Sequence, residues 1–308
     1  MMAKTRTLLL SFLLAGLAMT AASPAFGQAW VGETNSLSLG VQYTLAPSNE
    51  IVEEEGLSIG NTDLLAQIVT LSADYVTPIP RLAVRLQLPL VIVEYQGTDT
   101  PGLERHGSLD DGSLHLVPTD LRLDVRYGVL VDPFALAVNL GGSLPTHDYE
   151  TQGFAAPGRG IAKFHLGASV GRTLEPLLDE LFFQVGYELT LGENFSTSAP
   201  ETSEISQHYS DVSATIGYFI LPQLPVTVDF DYHVQHDGIR FLEFGDLSSP
   251  LQDFHDALLL EEVVLFGGSL SYFFGERLAV TGFGRAFVGG ANTRNQYILG
   301  ANFDIRVF

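Results

Sequence analysis

From Ser36 onward the chain alternates apolar and polar residues one by one, in about a dozen separate blocks. A period of two is the period of a strand, since successive side chains point to opposite faces of the backbone. In the first block Leu37, Leu39, Val41, Tyr43 and Leu45 share one parity, against Ser36, Ser38, Gly40, Gln42 and Thr44 on the other. Later blocks repeat it. Leu121, Leu123, Val125 and Tyr127 oppose Arg122, Asp124 and Arg126, while Val226, Val228, Phe230 and Tyr232 oppose Thr227, Asp229, Asp231 and His233. The spacing predicts twelve such strands, the weakest at Leu278–Arg285.

The connectors alternate between short and long. Short turns fall at Thr77–Arg81, Leu130–Pro133, Leu221–Pro225 and Gly275–Arg277, with a modest connector at Arg172–Glu180. Long polar stretches fall at Ser48–Asp63, Gln96–Pro118, Thr146–Gly160, Gly192–Gln207 and His236–Asp256, with a shorter one at Gly289–Gln296. An even strand number, short turns at one end and long loops at the other describe an all-β, closed, antiparallel transmembrane β-barrel with both termini at the short-turn end. Tyrosines support it. Tyr75, Tyr127, Tyr218 and Tyr272 sit just before short turns, and Tyr43, Tyr187 and Tyr232 sit near long loops. Two aromatic belts suit two membrane interfaces, where a ring with one apolar and one wet end is favoured. A soluble sandwich also alternates but has no reason for two belts.

The first residues read as an export signal: Lys4 and Arg6, then an apolar run from Leu8 to Ala18, then small residues up to Ala25-Phe26-Gly27. The run is too short to cross a bilayer as a helix. Residues 1–27 are therefore expected to be removed, leaving 28–308 as one barrel domain in the bacterial outer membrane. Losing Lys4 and Arg6 moves the net charge from −21 by two units to −23. So acidic a chain is a poor partner for nucleic acid. With no cysteine, neither a lipid-anchored cysteine nor a disulfide is available.

Several blocks resemble the MetA-pathway phenol-degradation family of outer-membrane "transporter" barrels. They are Arg81–Pro89 (RLAVRLQLP), Asp120–Tyr127 (DLRLDVRY), and Phe134–Leu140 (FALAVNL) followed by Leu144-Pro145-Thr146. The resemblance implies passive uptake of small solutes, aromatic or hydrophobic compounds among them, and brings no catalytic residue or cofactor. The C-terminus resembles the signal read by the barrel-assembly machinery, with Gly300, alternating Phe303, Ile305 and Val307, and a final Phe308. Phe308 has the opposite parity to those three. Either the signal is slightly internal or the last residue bends out of the strand.

The inward parity holds the charges expected to line a transport path. Arg85, Arg122, Arg126 and Lys163 are basic on the third to sixth strands, with Asp124 among them. Glu188, Asp211, Asp229 and Asp231 are acidic on the seventh to ninth. In a ring of twelve these arcs face each other across a water-filled lumen; alternatively they pair and fill it. Twelve strands lie between eight, whose interior side chains fill, and sixteen, which leave a channel open. The loop acids Glu50, Glu53, Glu54, Glu55 and Asp63 form a solvated surface, with divalent-cation bridging to lipopolysaccharide as the alternative.

Three motifs are discounted as catalytic or metal sites. Gly167-Ala168-Ser169-Val170-Gly171 matches a nucleophile elbow, but such an elbow needs a strand-to-helix turn and Ser169 lies within a strand. His165, four residues away, would be about 13 Å along the strand. Asp229, Asp231 and His233 recur with the strand period and lack the glycine of a calcium loop. Gly158-Arg159-Gly160 is too short to cradle phosphate. A passive channel for small molecules is the reading that follows. A barrel hydrolase, needing a nucleophile and base adjacent across neighbouring strands, and a non-conducting scaffold are the alternatives.

Overall fold

A strand whose two faces differ so sharply in polarity cannot lie in bilayer or water alone, and a lone sheet would leave unpaired edges in lipid. Closure resolves both problems. The computed structural model describes residues 29–52, 58–96, 108–153, 155–175, 178–194, 205–240 and 259–308. Its strands, in chain order, are β1 (Ser36–Val52), β2 (Ser58–Val76), β3 (Leu82–Tyr95), β4 (His115–Pro118), β5 (Asp120–Leu130), β6 (Ala135–Pro145) and β7 (Lys163–Leu174). They continue as β8 (Leu178–Gly192), β9 (Tyr209–Leu221), β10 (Leu224–Gln235), β11 (Glu262–Phe274), β12 (Leu278–Ala291) and β13 (Thr293–Arg306). Each pairs antiparallel with its neighbours, and β1 closes the ring on β13 from Ser38↔Arg306 to Val52↔Thr293.

Segments β4 and β5 both pair with β3 and lie in line, so thirteen segments make twelve barrel staves. The break at Thr119 has a local cause. Pro118 pairs near Pro89, and neither proline has an N–H to give the ladder. Thr119 N–H donates to Pro89 O (3.0 Å) across the gap.

The predicted parity holds around the ring. Leu39, Val41, Leu86, Leu123, Val138, Leu166, Ile216, Val228, Phe266, Leu299 and Phe303 are all exposed on the outside, and they meet across strands as Leu86↔Leu123, Leu140↔Leu166 and Phe230↔Phe266. On the inside Asp124, His165, Ser169, Glu188, Thr190, Asp229 and Asn302 are buried. An outside of large apolar groups around a polar inside is the arrangement of a barrel that lies in lipid. The belt tyrosines find polar partners at both rims: Tyr43 donates to Gln67 Oε1 (2.7 Å), Tyr232 to Glu262 Oε1 (3.1 Å) and Tyr75 to Asn35 Oδ1 (3.4 Å).

The strands run further outward than the sequence suggests. The stretch Ser48–Asp63 is mostly ladder, since β1 and β2 pair until Val52↔Ser58. Gly289–Gln296 is no loop either: β12 and β13 meet at Asn292, whose φ of 50° makes a tight corner. His115–Pro118, read as loop, is strand β4. Above the bilayer both faces of a strand are wet, so the ladder continues without an apolar parity to announce it. The weak signal of β12 has a different origin. Gly282, Gly284 and Ala286 take its outward places, leaving Leu278 and Val288 exposed at the two ends.

At the C-terminus Leu37 N–H donates to Phe308 O (3.0 Å), while Val307 N–H donates to Leu37 O (2.8 Å). Two residues oppose one, a bulge that breaks strict alternation at the last position. Val307 and Phe308 are therefore both exposed, and of the two alternatives Phe308 takes the one that leaves the strand's parity. The leader, and Glu53, Glu54 and Glu55, lie outside the described residues.

Candidate functional site

The inner faces of the strands enclose a cavity of about 570 Å3. It runs from Trp30 and Glu33 at the short-turn end to Asp120, Lys163 and Tyr209 toward the long-loop end. Its wall carries Arg85, Arg122, Asp124, Arg126, Lys163, Glu188 and Asp229, as their parity requires.

These charges are paired along the wall. On β3, Arg85 binds Asp74 of β2 through Nε (2.9 Å) and Nη2 (2.5 Å), and Arg126 of β5 lies 3.5 Å from the same carboxylate. Arg122 donates to Asp124 Oδ2 (2.7 Å) and Oδ1 (3.0 Å) on its own strand. Its Nη2 also reaches Glu188 Oε2 (2.8 Å) and Oε1 (3.0 Å) on β8, three staves away. Asn139 of β6 donates to the same Glu188 (3.0 Å), and Lys163 of β7 donates to Asp120 (3.1 Å). Glycine makes the span possible. A Cβ on Gly141 would meet Asp124 Oδ1 at 2.1 Å, and one on Gly167 would meet Asn139 Oδ1 at 2.5 Å. These side chains lie flat over strands that present only backbone.

On β9 and β10 the acids have other partners. Asp229 accepts from Thr215 Oγ1 (2.8 Å) and Thr227 Oγ1 (3.0 Å). Asp211 meets His233 Nδ1 (2.8 Å), and Asp231 pairs with Arg285 of β12 (2.9 Å). The two arcs read from the sequence thus do not stand apart. Glu188, assigned to the acidic arc, belongs to the basic network through Arg122, leaving a paired side from β2 to β8 and an acid-rich side on β9 and β10. Among the described residues, no three His, Asp or Glu side chains are placed to hold a metal ion.

Asp74, Asn139 and Arg285 complete the network, and their inward parity was the signal that marked them. Residues of the long-loop end gave no signal. The connector between β6 and β7 crosses the outer mouth. Tyr149 donates to Asp120 of β5 and accepts the Gly160 N–H (3.0 Å). Arg159 Nη1 donates to Gln207 Oε1 (2.6 Å) and to Gln235 Oε1 of β10 (2.9 Å). Ala155 donates its N–H to Asp110 Oδ1 (2.8 Å) and packs on Ile51, Val91, Val93 and Tyr95, where the inner wall of β1 and β3 turns apolar. One connector thus touches opposite sides of the ring. Burial, then the bond to Asp120, pushes the Tyr149 phenol up from its ordinary value, so it stays a donor at any neutral or mildly alkaline pH.

Ser169 lies inside β7 as the sequence implies, with no elbow. A different serine is near the histidine: His165 Nε2 is 3.2 Å from Ser143 Oγ on neighbouring β6. His165 Nδ1 contacts Thr190 Oγ1 (3.0 Å) and lies 3.5 Å from Glu188.

No protein-family model matches the sequence, and no curated protein matches it. Solved structures match its fold. The COG4313 outer membrane channel from Pseudomonas putida F1 is similar with a TM-score of 0.69 at 12% identity, covering 92% of this chain and 100% of that chain. A NanC porin is similar with a TM-score of 0.50 at 6% identity, covering 87% and 98%. At such identities the likeness is one of fold: this chain has the architecture of an outer-membrane barrel, the kind that channels and porins use.

Proposed function

We propose that the chain is a passive outer-membrane channel for small solutes, with residues 1–27 removed on export and residues 28–308 forming the conducting barrel. The observation that carries this reading is the charged and polar cavity along the barrel interior, inside a wall whose outside is apolar between the two rims. A buried interior built only for stability has little use for Arg85, Arg122, Lys163 and Asp229 together, since charges taken from water cost more than well-packed apolar groups. In a water-filled lumen they stay partly solvated, and that cost falls. The family resemblance adds the solute class, aromatic or hydrophobic compounds, and the C-terminal resemblance adds the insertion route through the barrel-assembly machinery. Lipopolysaccharide is the expected neighbour of the outer loops. Reconstitution into planar bilayers tests the reading, with discrete conductance steps expected. Liposomes loaded with small aromatic acids should also leak them faster than sugars of similar size. A barrel that inserts but neither conducts nor leaks, as the wild type and with its inner mouth opened by substitution, would overturn it.

The Ser143–His165 contact is the one observation that favours a hydrolase. Nucleophile and base sit on neighbouring strands, as that reading needs. Against it, oxyanion stabilisation calls for free backbone N–H groups, and those of β6 and β7 are engaged in the ladder. Labelling with a serine-directed fluorophosphonate separates the two readings: we expect none, and labelling lost in Ser143→Ala would establish the enzyme.

A further inference from the structure

The inner mouth holds a feature that the transport reading does not use. Residues Ala29–Glu33 precede β1, yet they lie inside the ring. Ala29 is almost wholly buried, and its N–H donates to Gln184 Oε1 on the inner face of β8 (3.0 Å). Trp30, the only tryptophan of the chain, lies against β7 and β8. Its ring meets Phe182 edge to face, with centroids 6.3 Å apart, and Phe182 meets Phe219 at 5.5 Å. Phe219 in turn packs on Phe273 and Ala279, so an apolar, aromatic lining replaces the polar wall at this level. Val31 and Gly32 touch β5 and β2: a Cβ on Gly128 would lie 3.3 Å from Val31, and one on Gly32 would lie 3.5 Å from Val76. Glu33 is held by Arg306 Nη2 (2.5 Å).

The wall is shaped to receive this ring. A Cβ on Gly171 would come within 2.5 Å of the indole, and one on Gly217 within 2.0 Å of Phe182. Both glycines are inward-facing positions of regular strands, where neither residue needs left-handed backbone. Their lack of a side chain leaves room for the two rings. A five-residue arm that reaches β8 at one end and β1 at the other, and seats an aromatic ring in a fitted notch, lies across the aperture.

We propose that Ala29–Glu33 is a tethered plug that sets the inner aperture of the barrel by seating Trp30 against Gly171 and Phe182. This rests on the channel reading, because an aperture matters only if the lumen conducts. Twelve strands give a narrow interior, so one indole blocks a large share of the cross-section. The arm is covalently joined to β1 and is held inside by side-chain contacts, the Trp30 ring, the Gln184 bond and the Arg306 pair. It can leave its seat without disturbing the strand ladder.

The chain's single tryptophan makes the test direct. In the folded wild type in detergent, Trp30 emission should be blue-shifted and protected from acrylamide. Gly171→Val fills the notch, so it should shift the emission to the red and remove the protection while the barrel keeps its heat-modifiable mobility on gels. In planar bilayers Trp30→Ala and Gly171→Val should each raise single-channel conductance about twofold. Added indole should lower it again in Trp30→Ala but not in the wild type, where the seat is taken. If the wild-type tryptophan is freely quenched, or if wild type and Trp30→Ala conduct equally, the plug is refuted while the channel reading stands. Conductance in the variants alone would support the plug outright. Silence in all of them, variants included, would refute the channel reading and this proposal with it.

Discussion

The two faces of one strand obey different rules. On the outside of β5, Leu121, Leu123, Val125 and Tyr127 meet only other apolar groups and lipid, and any large apolar residue would serve. On the inside, Arg122 and Arg126 each need a particular partner on another strand, one of them three staves away, and Asp124 needs Arg122 beside it. The outer face is specified by class and the inner face by identity. The reason is the range of the forces. The hydrophobic effect is non-directional and depends on area. A hydrogen-bonded ion pair depends on tenths of an ångström and on what remains when one partner is lost.

The strongest way to break this contrast is to put charge on the wrong face. Leu123→Arg or Val228→Arg should destabilise the barrel by roughly 2–4 kcal/mol if these positions lie near the bilayer midplane, as for other lipid-facing arginines. Thr227→Arg, one residue from Val228 but on the lumen side, should cost much less. Urea unfolding in lipid vesicles measures both, and equal costs would mean that the two faces are not distinct.

A second change probes identity on the inner face. Arg122→Leu strands Asp124 and Glu188, whose side chains are only 11% and 8% exposed. The cost should be about 1–3 kcal/mol, below that of breaking a fully buried pair because lumen water solvates part of the loss. Adding Glu188→Leu should recover a good part of it. If the two losses simply add in urea unfolding, the pair is not coupled.

Selectivity should respond by smaller amounts. Asp229 is held by two hydroxyls and faces the cavity, so Asp229→Asn should shift the reversal potential under a salt gradient toward anions. Arg122→Gln should shift it toward cations. Both shifts should shrink in strong salt, because the Debye length falls from about 10 Å at 0.1 M to about 3 Å at 1 M. A selectivity indifferent to both substitutions would mean that ions do not pass this wall.

The smallest effect belongs to neither face. On the exposed connector before β4, Asp111 accepts from His115 Nε2 (2.8 Å) and from the Ser113 N–H (2.7 Å). These bonds, His115 first, hold its carboxyl below the ordinary carboxylate value. A depressed acid contributes stability above its unfolded value, near 3.9, and that contribution fades as pH falls through the folded one. Hydrogen exchange at the Ser113 amide should therefore lose protection as pH falls below about 4 in the wild type and lack this dependence in Asp111→Asn. An unchanged profile would show that the turn does not depend on the carboxylate.

How far the sequence speaks follows from these rules. Parity alone named the twelve staves, the side of each that meets lipid, and the inward positions of Arg85, Arg122, Asp124, Arg126, Lys163, Glu188, Asp211, Asp229 and Asp231, because a period of two is visible wherever the two environments differ. It stopped where both faces are wet, so the outward extension of β1 and β2 and the strand at His115–Pro118 read as loop. Which inward charge meets which was decided only by the closed ring. Strand register and the side-chain-free patches at Gly141 and Gly167 let Arg122 find Glu188, and no local pattern encodes a contact across three staves. The same holds at the two mouths. Tyr149 and Arg159 belong to an unpatterned connector and Trp30 precedes the first strand, yet the closed ring supplies Asp120, Gln207 and the Gly171 notch as their partners. Composition and period fix surfaces, since burial is a property of residue class; contacts distant along the chain are fixed only when the backbone brings specific atoms within bonding distance.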